Sequence, residues 1–432
     1  MHKKAILSII SIIIVSVFLL VGCSPAVSDS TANSESQTSG QATSTQDTEQ
    51  SGTEETTAAS STDETESTSG ETPPEVDEIE VLIEQMTLRE KVGQLFIIRP
   101  DSLDSSQTPE QVNDSSASGV TELSAAMADM LKNYPVGGIA MFGKNIVDEQ
   151  QLITFISSLQ DASSIPLLMA VDEEGGLVAR LANHASFDLP KYESAASVGA
   201  TAKPSEALAM GNTIGSYLYR YGFNMDFAPV ADVNTNPDNP VIGNRAFSSN
   251  GTVAAEMANA MAQGLKEQQI IPVFKHFPGH GDTAEDSHSG LAVNNKTKAE
   301  MESCEWLPYE SLTAADCVMV GHIATPNITG DSTPATMSSE IVNTILRGQL
   351  GFDGVVMTDS LAMGAITNEY DAGEAAIKAL EAGCDILLGP ENFKEAFEAV
   401  VNAVENGTIS EERIDESVYR ILSLKQRYGL LT

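Results

Sequence analysis

Basic residues are scarce: 23 Lys and Arg stand against 61 Asp and Glu, for a formal net charge of −38. Affinity for nucleic acid rests on clustered Lys and Arg that neutralise phosphates, so that class of partner is excluded. Cysteine is also rare, and Cys23, Cys304, Cys317 and Cys384 include no CxxC pair suited to structural zinc. Cys317 and Cys384 open apolar runs, where a buried thiol is the common fate, and a single disulfide is left open. A Gly-rich phosphate loop after an early strand, which a doubly wound open sheet should show, is missing as well.

What is there begins with "MHKKAILSIISIIIVSVFLLVGCS". A basic start, an apolar run from Ala5 to Val21 and the pair Gly22–Cys23 make residues 1–22 a signal peptide. The LVGC ending resembles a bacterial lipobox, which makes Cys23 the lipidated N-terminus of the mature protein. A membrane-spanning anchor is the alternative, for which the run is short. On either reading the body lies outside the cytoplasm, held to the cell membrane. Residues 24–77 contain no Lys, Arg, Cys or aromatic residue. Such a segment buries too little apolar surface to offset its conformational entropy, so residues 23–77 are expected to form an acidic, Ser/Thr-rich disordered linker. It serves either as a spacer from membrane into wall or as a tolerated linker without selected length.

Residues 78–432 have a different pattern. Short apolar runs recur: "GQLFII", "GGIAMF", "PLLMAV", "NMDFAP", "IIPVFKHF", "DCVMVG", "DGVVMT" and "CDILLG". Between them lie amphipathic patterns such as "SEALAMGNTIGSYLYRYG" and "AGEAAIKALEAG". Strand then helix, repeated about eight times, predicts an α/β fold with a (β/α)8 TIM-type barrel as a single catalytic domain. The final "ISEERIDESVYRILSLKQRYGLL" is an amphipathic helix expected to cap it.

In such barrels chemistry gathers where strands end. Asp172, Asp232, Lys275 with His276, His322 and Asp359 follow five of the eight runs. One reading of this rim is a metal hydrolase, with His276, His280, His288, Asp282 and Asp286 as ligands. Neither HxH nor HExxH occurs, and Lys275 would repel a cation, so no metal or cofactor is expected. The other reading is glycoside hydrolysis, which needs a carboxylate on one face of the anomeric carbon and a proton donor and acceptor on the other. Asp359 suits the first role. His288 suits the second, with Asp286 two residues earlier to orient the ring and stabilise imidazolium.

The motifs "KHFPGHGDTAEDSH", "VDEEGG", "NPVIGNRAF", "MTLREKVGQL" and "VVMTDSLAM" resemble those of family 3 glycoside hydrolases, specifically bacterial β-N-acetylglucosaminidases that act on cell-wall fragments. The resemblance runs from about Met86 to Leu430. It implies that Asp359 forms a covalent glycosyl-enzyme, that His288 is the acid/base and that Asp286 is its dyad partner. It also implies that Asp172, Arg180, Arg245, Lys275 and His276 bind hydroxyls of N-acetylglucosamine. A salt bridge to Glu173 or Glu174 would explain Arg180 equally well. Leu177 stands where the family often has arginine. Asp232 is expected to shape its own loop through backbone hydrogen bonds, and His280 to stabilise its turn. His322 is read as a rim contact or a packed imidazole, and His184 as surface. Gly279 and Gly281 are expected to let the loop close over bound sugar. A phosphorylase of the same family and a sugar-binding lipoprotein are the competing functions, and a monomer is expected.

Overall fold

The computed structural model describes residues 77–310, 312 and 316–431. The signal peptide, Cys23 and the expected linker up to residue 76 lie outside the described residues. Asp77 is the N-cap of the first helix, Glu78–Gln85, its carboxylate accepting from the Ile79 amide at 2.9 Å. Thr87 and Glu90 form a capping box that starts the second helix, Leu88–Gln94.

All eight apolar runs form strands: β1 Phe96–Ile98, β2 Gly138–Met141, β3 Leu168–Val171, β4 Met225–Asp226, β5 Ile271–Phe277, β6 Cys317–Val320, β7 Val355–Thr358 and β8 Leu387–Leu388. Each pairs in parallel with its sequence neighbour from β1 to β7, and β8 pairs with β1. A parallel bridge between Met357 and Ile386 joins β7 to β8 and closes the ring. With both faces covered, the strands have no reason to alternate polar and apolar residues, and β1, β2, β3, β6 and β7 are buried at every position. That is why they read as continuous apolar runs.

Helices Pro204–Tyr221, Gly251–Glu267 and Ala372–Ala382 realise the amphipathic patterns. The last helix, Glu411–Arg427, lies at the end where the strands begin. Its Arg420 reaches Asp385 at 3.0 Å, Lys425 reaches Gln94 at 2.7 Å, and the following Tyr428 bonds Asp316. The opposite end, where strands finish, is left to the loops. Among the described residues no helix is long and apolar enough to cross a membrane. Cys304, Cys317 and Cys384 are free thiols, which corrects the possibility of a disulfide. Cys317 and Cys384 are buried, and the Cys384 thiol is taken up by the Thr336 carbonyl at 3.6 Å.

Candidate active site

At the C-terminal end of β3 the chain enters Asp172 and then an antiparallel hairpin, Glu173–Gly175 against Val178–Ala179. Extended backbone alternates its side chains, so Asp172 and Glu174 face the mouth of the barrel and Glu173 turns away. The Glu173 carboxylate accepts from the Leu181 and Ala182 amides and from the Tyr217 hydroxyl, each at 2.8 Å, and fixes the hairpin.

Asp172 and Glu174 meet three cations. Lys275 Nζ lies 2.8 Å from Asp172 Oδ1 and 2.6 Å from Glu174 Oε1. Arg245 grips Glu174 through two parallel bonds of 2.8 and 2.7 Å. Arg180 reaches Asp172 at 3.2 Å, so its partner is the residue before the acidic pair that the sequence suggested. Burial alone would raise the Asp172 carboxyl, yet Lys275 and Arg180 hold it well below the usual carboxylate range. Burial likewise opposes charge on Lys275, but Asp172 and Glu174 outweigh it and raise the ammonium above its ordinary value. The floor is therefore a locked network of charges.

Neighbouring residues of a strand normally face opposite ways, but Lys275 and His276 both line the cavity. The register between β5 and β6 shifts between Lys275 and Phe277, where the Lys275–His276 peptide bond is cis. His276 Nδ1 bonds Asp232 Oδ2 at 2.7 Å, which leaves Nε2 for a ligand. Asp232 does not shape its own loop as expected. Its carboxylate takes the His276 and His280 amides at 3.2 and 2.6 Å and so pins the start of the loop after β5.

Asp359 follows β7, its amide bonded to the Val320 carbonyl at 2.8 Å and one carboxylate oxygen taking the Ser360 amide at 2.7 Å. Burial would raise its carboxyl, but His276, His322 and that amide keep it below its ordinary value. His322 is a packed imidazole. Fully buried, it donates from Nε2 to the Ser360 carbonyl at 2.9 Å and accepts at Nδ1 from Thr336 at 3.0 Å.

His288 and Asp286 ride the loop between β5 and a short strand, Ala292–Val293, which pairs with Ile323–Ala324 beyond β6. His288 Nδ1 donates to Asp286 Oδ1 at 2.8 Å, so Nε2 is the nitrogen left to exchange a proton. Asp286 stands outside the cavity lining and His288 within it. A Cβ on Gly281 would lie 2.0 Å from the Val233 carbonyl oxygen, so this glycine permits close packing; Gly279 has a left-handed φ of +129°. His280, buried, ties Thr283 and Ser287 at 2.8 and 3.0 Å, in keeping with a turn-stabilising role. The Ser287 and His288 carbonyls accept from the Ala365 and Gly364 amides at 3.3 and 3.2 Å, docking the loop beside the segment that follows Asp359.

A cavity of about 290 Å3 thus gathers Asp172, Arg180, Arg245, Lys275, His276, His288 and Asp359. Glu174 and Arg99 line it too; the sequence offered Glu174 only as an ion-pair partner for Arg180 and did not single out Arg99. Leu177 is exposed on the turn of the hairpin, and His184, half-buried, stacks edge-on against Phe187 with ring centroids 5.6 Å apart. Among the described residues no group of three or more His, Cys, Asp or Glu is arranged to hold a metal ion.

Residues 87–424 match the profile of the family described as "Glycosyl hydrolase family 3 N terminal domain". "Beta-hexosaminidase A" of Pseudoalteromonas piscicida is 33% identical over 71% of this chain, and "Beta-hexosaminidase" of Xylella fastidiosa strain 9a5c is 35% identical over 66% of it. The matched regions cover 56% and 86% of those relatives. The solved structure of a glycoside hydrolase family 3 beta-N-acetylglucosaminidase from Paenibacillus sp. str. FPU-7 superposes with a TM-score of 0.73 at 36% identity, covering 80% of this chain and 63% of that one. The chain therefore spans about three fifths of two of these three proteins. With the profile matched across nearly the whole barrel, the chain belongs to glycosyl hydrolase family 3.

Proposed function

We propose that the protein is a retaining exo-β-N-acetylglucosaminidase that releases terminal N-acetylglucosamine from peptidoglycan fragments. The observation that carries this reading is the pairing in one cavity of a carboxylate held ionised, Asp359, with an imidazole whose Nε2 is left free by its bond to Asp286. The relatives named beta-hexosaminidase and beta-N-acetylglucosaminidase support the choice of sugar.

In the first step Asp359 attacks the anomeric carbon, the glycosidic bond breaks, and protonated His288 gives its Nε2 proton to the departing oxygen. The Asp286 carboxylate stabilises the imidazolium before that transfer. In the second step neutral His288 takes a proton from water, the water oxygen bonds to the anomeric carbon, and Asp359 leaves as carboxylate. Asp172, Arg180, Arg245, Lys275 and His276 hold the ring hydroxyls, and the locked charge network keeps their donors and acceptors aimed without reorganisation. The protein acts outside the cytoplasm, lipidated on Cys23 and tethered to the membrane, a reading supported by the sequence of residues 1–77.

A slow 2-fluorinated glycoside tests the mechanism. The label should accumulate on Asp359, found by mass spectrometry of peptides, and disappear in Asp359→Ala, whose turnover should fall by about 10⁴-fold or more. A label on another residue, or inverted product seen by NMR, sinks the proposal. Turnover that depends on added phosphate would instead identify a phosphorylase.

A further inference from the structure

The loop that carries His288 is held at both ends, and neither hold belongs to the sugar-binding floor. At its base, carbonyls of successive residues are taken up by three other parts of the chain. Trp306 Nε1 donates to the Pro278 carbonyl at 3.1 Å and Asn294 Nδ2 to that of Gly279 at 3.3 Å. Asn239 Nδ2 serves His280 and Thr283 at 2.8 and 3.0 Å, and the Asn236 amide serves Gly281 at 3.1 Å. Behind these bonds Lys296 pairs with Asp282 at 3.1 Å and with buried Glu305, and Thr235 donates to Asp282 at 2.7 Å. A shift of this stretch would break several of these bonds at once, which fixes the base in place.

At its tip the loop meets the chain that follows the nucleophile. From Asp359 that chain passes Ala362 and Met363, which line the cavity, and enters the short helix Gly364–Thr367. The Gly364 and Ala365 amides donate to the His288 and Ser287 carbonyls at 3.2 and 3.3 Å, and Asn368 Nδ2 reaches the Ser289 carbonyl at 3.3 Å. Both amides lie in the first turn, where a helix has no partner of its own to offer, so the contact takes nothing from the helix. A Cβ on residue 364 would lie 2.8 Å from the His288 carbonyl oxygen and 3.2 Å from the Ser289 carbonyl carbon, backbone atoms that cannot swing aside. Gly364 is not among the glycines with a left-handed φ. Its missing side chain therefore serves the contact and not a turn.

Between the two holds only residues 284–286 remain. Where His288 stands relative to Asp359 then depends on how closely the tip seats on residue 364. We propose that Gly364 is a positioning residue: it lets the acid/base loop seat against the nucleophile's own segment and so sets the distance between the two reacting groups. The inference rests on the proposed function, which names His288 and Asp359 as those groups. Gly364 itself stands outside the cavity lining.

The test compares kcat/KM for N,N′-diacetylchitobiose and for 2,4-dinitrophenyl N-acetyl-β-glucosaminide in wild type, Gly364→Ala and Asn368→Ala. This ratio reports the step that breaks the glycosidic bond, in which the disaccharide needs a proton from His288 and dinitrophenolate leaves without one. Gly364→Ala should lose about ten- to a hundredfold on the disaccharide, the scale of an ångström-sized misplacement, and stay within about threefold on the dinitrophenyl glycoside. Asn368→Ala removes one tie without adding an atom and should shift the same way by about two- to tenfold. Alanine favours a helix over glycine, so a weakened helix would not mimic the result. Equal losses on both substrates would mark a general structural defect and overturn the inference, as would unchanged disaccharide turnover in Gly364→Ala. Amide hydrogen exchange in peptides covering residues 284–290 reads the contact without turnover. It should rise in Gly364→Ala, and wild-type rates there overturn the inference. Absence of turnover by wild type would overturn the proposed activity instead, and the exchange rates would still decide the contact.

Discussion

Two pairs that each send a side chain into the cavity have the same length and opposite surroundings. Lys275 lies 2.8 Å from Asp172 and His288 lies 2.8 Å from Asp286, yet the Lys275 side chain is 3% exposed and that of His288 68%. The Lys275 pair is built from β5 and the end of β3, and a second carboxylate and two arginines enclose it. The His288 pair is local, two residues apart on a loop. Burial with compensation fixes charge: Asp172 is lowered and Lys275 raised, so neither titrates between about pH 4 and 10. Exposure leaves the imidazole within reach of solvent and substrate. A binding floor needs the first condition and an acid/base needs the second.

The largest expected effect separates the two regions by function. His288→Ala should lower kcat on a disaccharide by about 10²–10⁴-fold, the usual worth of a positioned proton donor. It should lower it much less on a nitrophenyl glycoside, whose leaving group departs without a proton. The melting temperature should stay within about 1 °C of wild type, since no buried group loses a partner. Equal losses on both substrates would break the assignment of proton transfer to the loop.

Lys275→Met should do the reverse to the fold. It removes the cation that Asp172 and Glu174 share while Arg180 and Arg245 still pair with them, which should cost about 1–3 kcal/mol of stability at pH 7 in urea unfolding. The sign with pH follows from the carboxyls. In wild type their folded values are depressed, so the stability they contribute is present above the unfolded value near 4 and lost as pH falls below it. The gap between wild type and variant should therefore narrow below about pH 4. A variant with the wild-type urea midpoint and only a raised KM would show that the floor binds sugar without supporting the fold.

The fold was readable because a closed parallel barrel buries both faces of every strand, and all eight apolar runs became strands. The residues that follow the runs led to Asp172, Lys275, His276 and Asp359 by the same rule. That rule, applied without exception, would also have found Arg99, which directly follows Ile98 of β1. Period-two alternation would have found Glu174, two residues after Asp172 on the same face. Other features have no local signal. The partners of Asp232 lie 44 and 48 residues away on the next strand and its loop. The Glu391 carbonyl that accepts from Asn113 Nδ2 lies 278 residues distant. The glycines of the loop after β5 read as hinges, whereas contact with Val233 makes Gly281 a packing position.

Lys425 tests the same comparison from the other end of the barrel. It is as buried as Lys275, but its Nζ donates to Gln94 Oε1 at 2.7 Å and not to a carboxylate. Burial pushes its ammonium down to about 7 from 10.5. The folded state thus holds this proton less tightly than the unfolded chain does. Between pH 7 and 10.5 the unfolded chain binds more protons, so stability rises with pH across that window and the cost of the buried charge is in full force below it. Lys275, with its value raised, contributes in the opposite sense and loses stability only at higher pH. Lys425→Met should therefore stabilise the protein at pH 6 by roughly 1–4 kcal/mol, the range seen when buried charges give way to apolar side chains of similar volume. It should also flatten the rise between pH 7 and 10 and leave turnover unchanged, with urea midpoints across pH as the measurement. A variant less stable than wild type at pH 6 would mean that the Gln94 hydrogen bond outweighs desolvation. The two lysines would then differ in degree and not in kind.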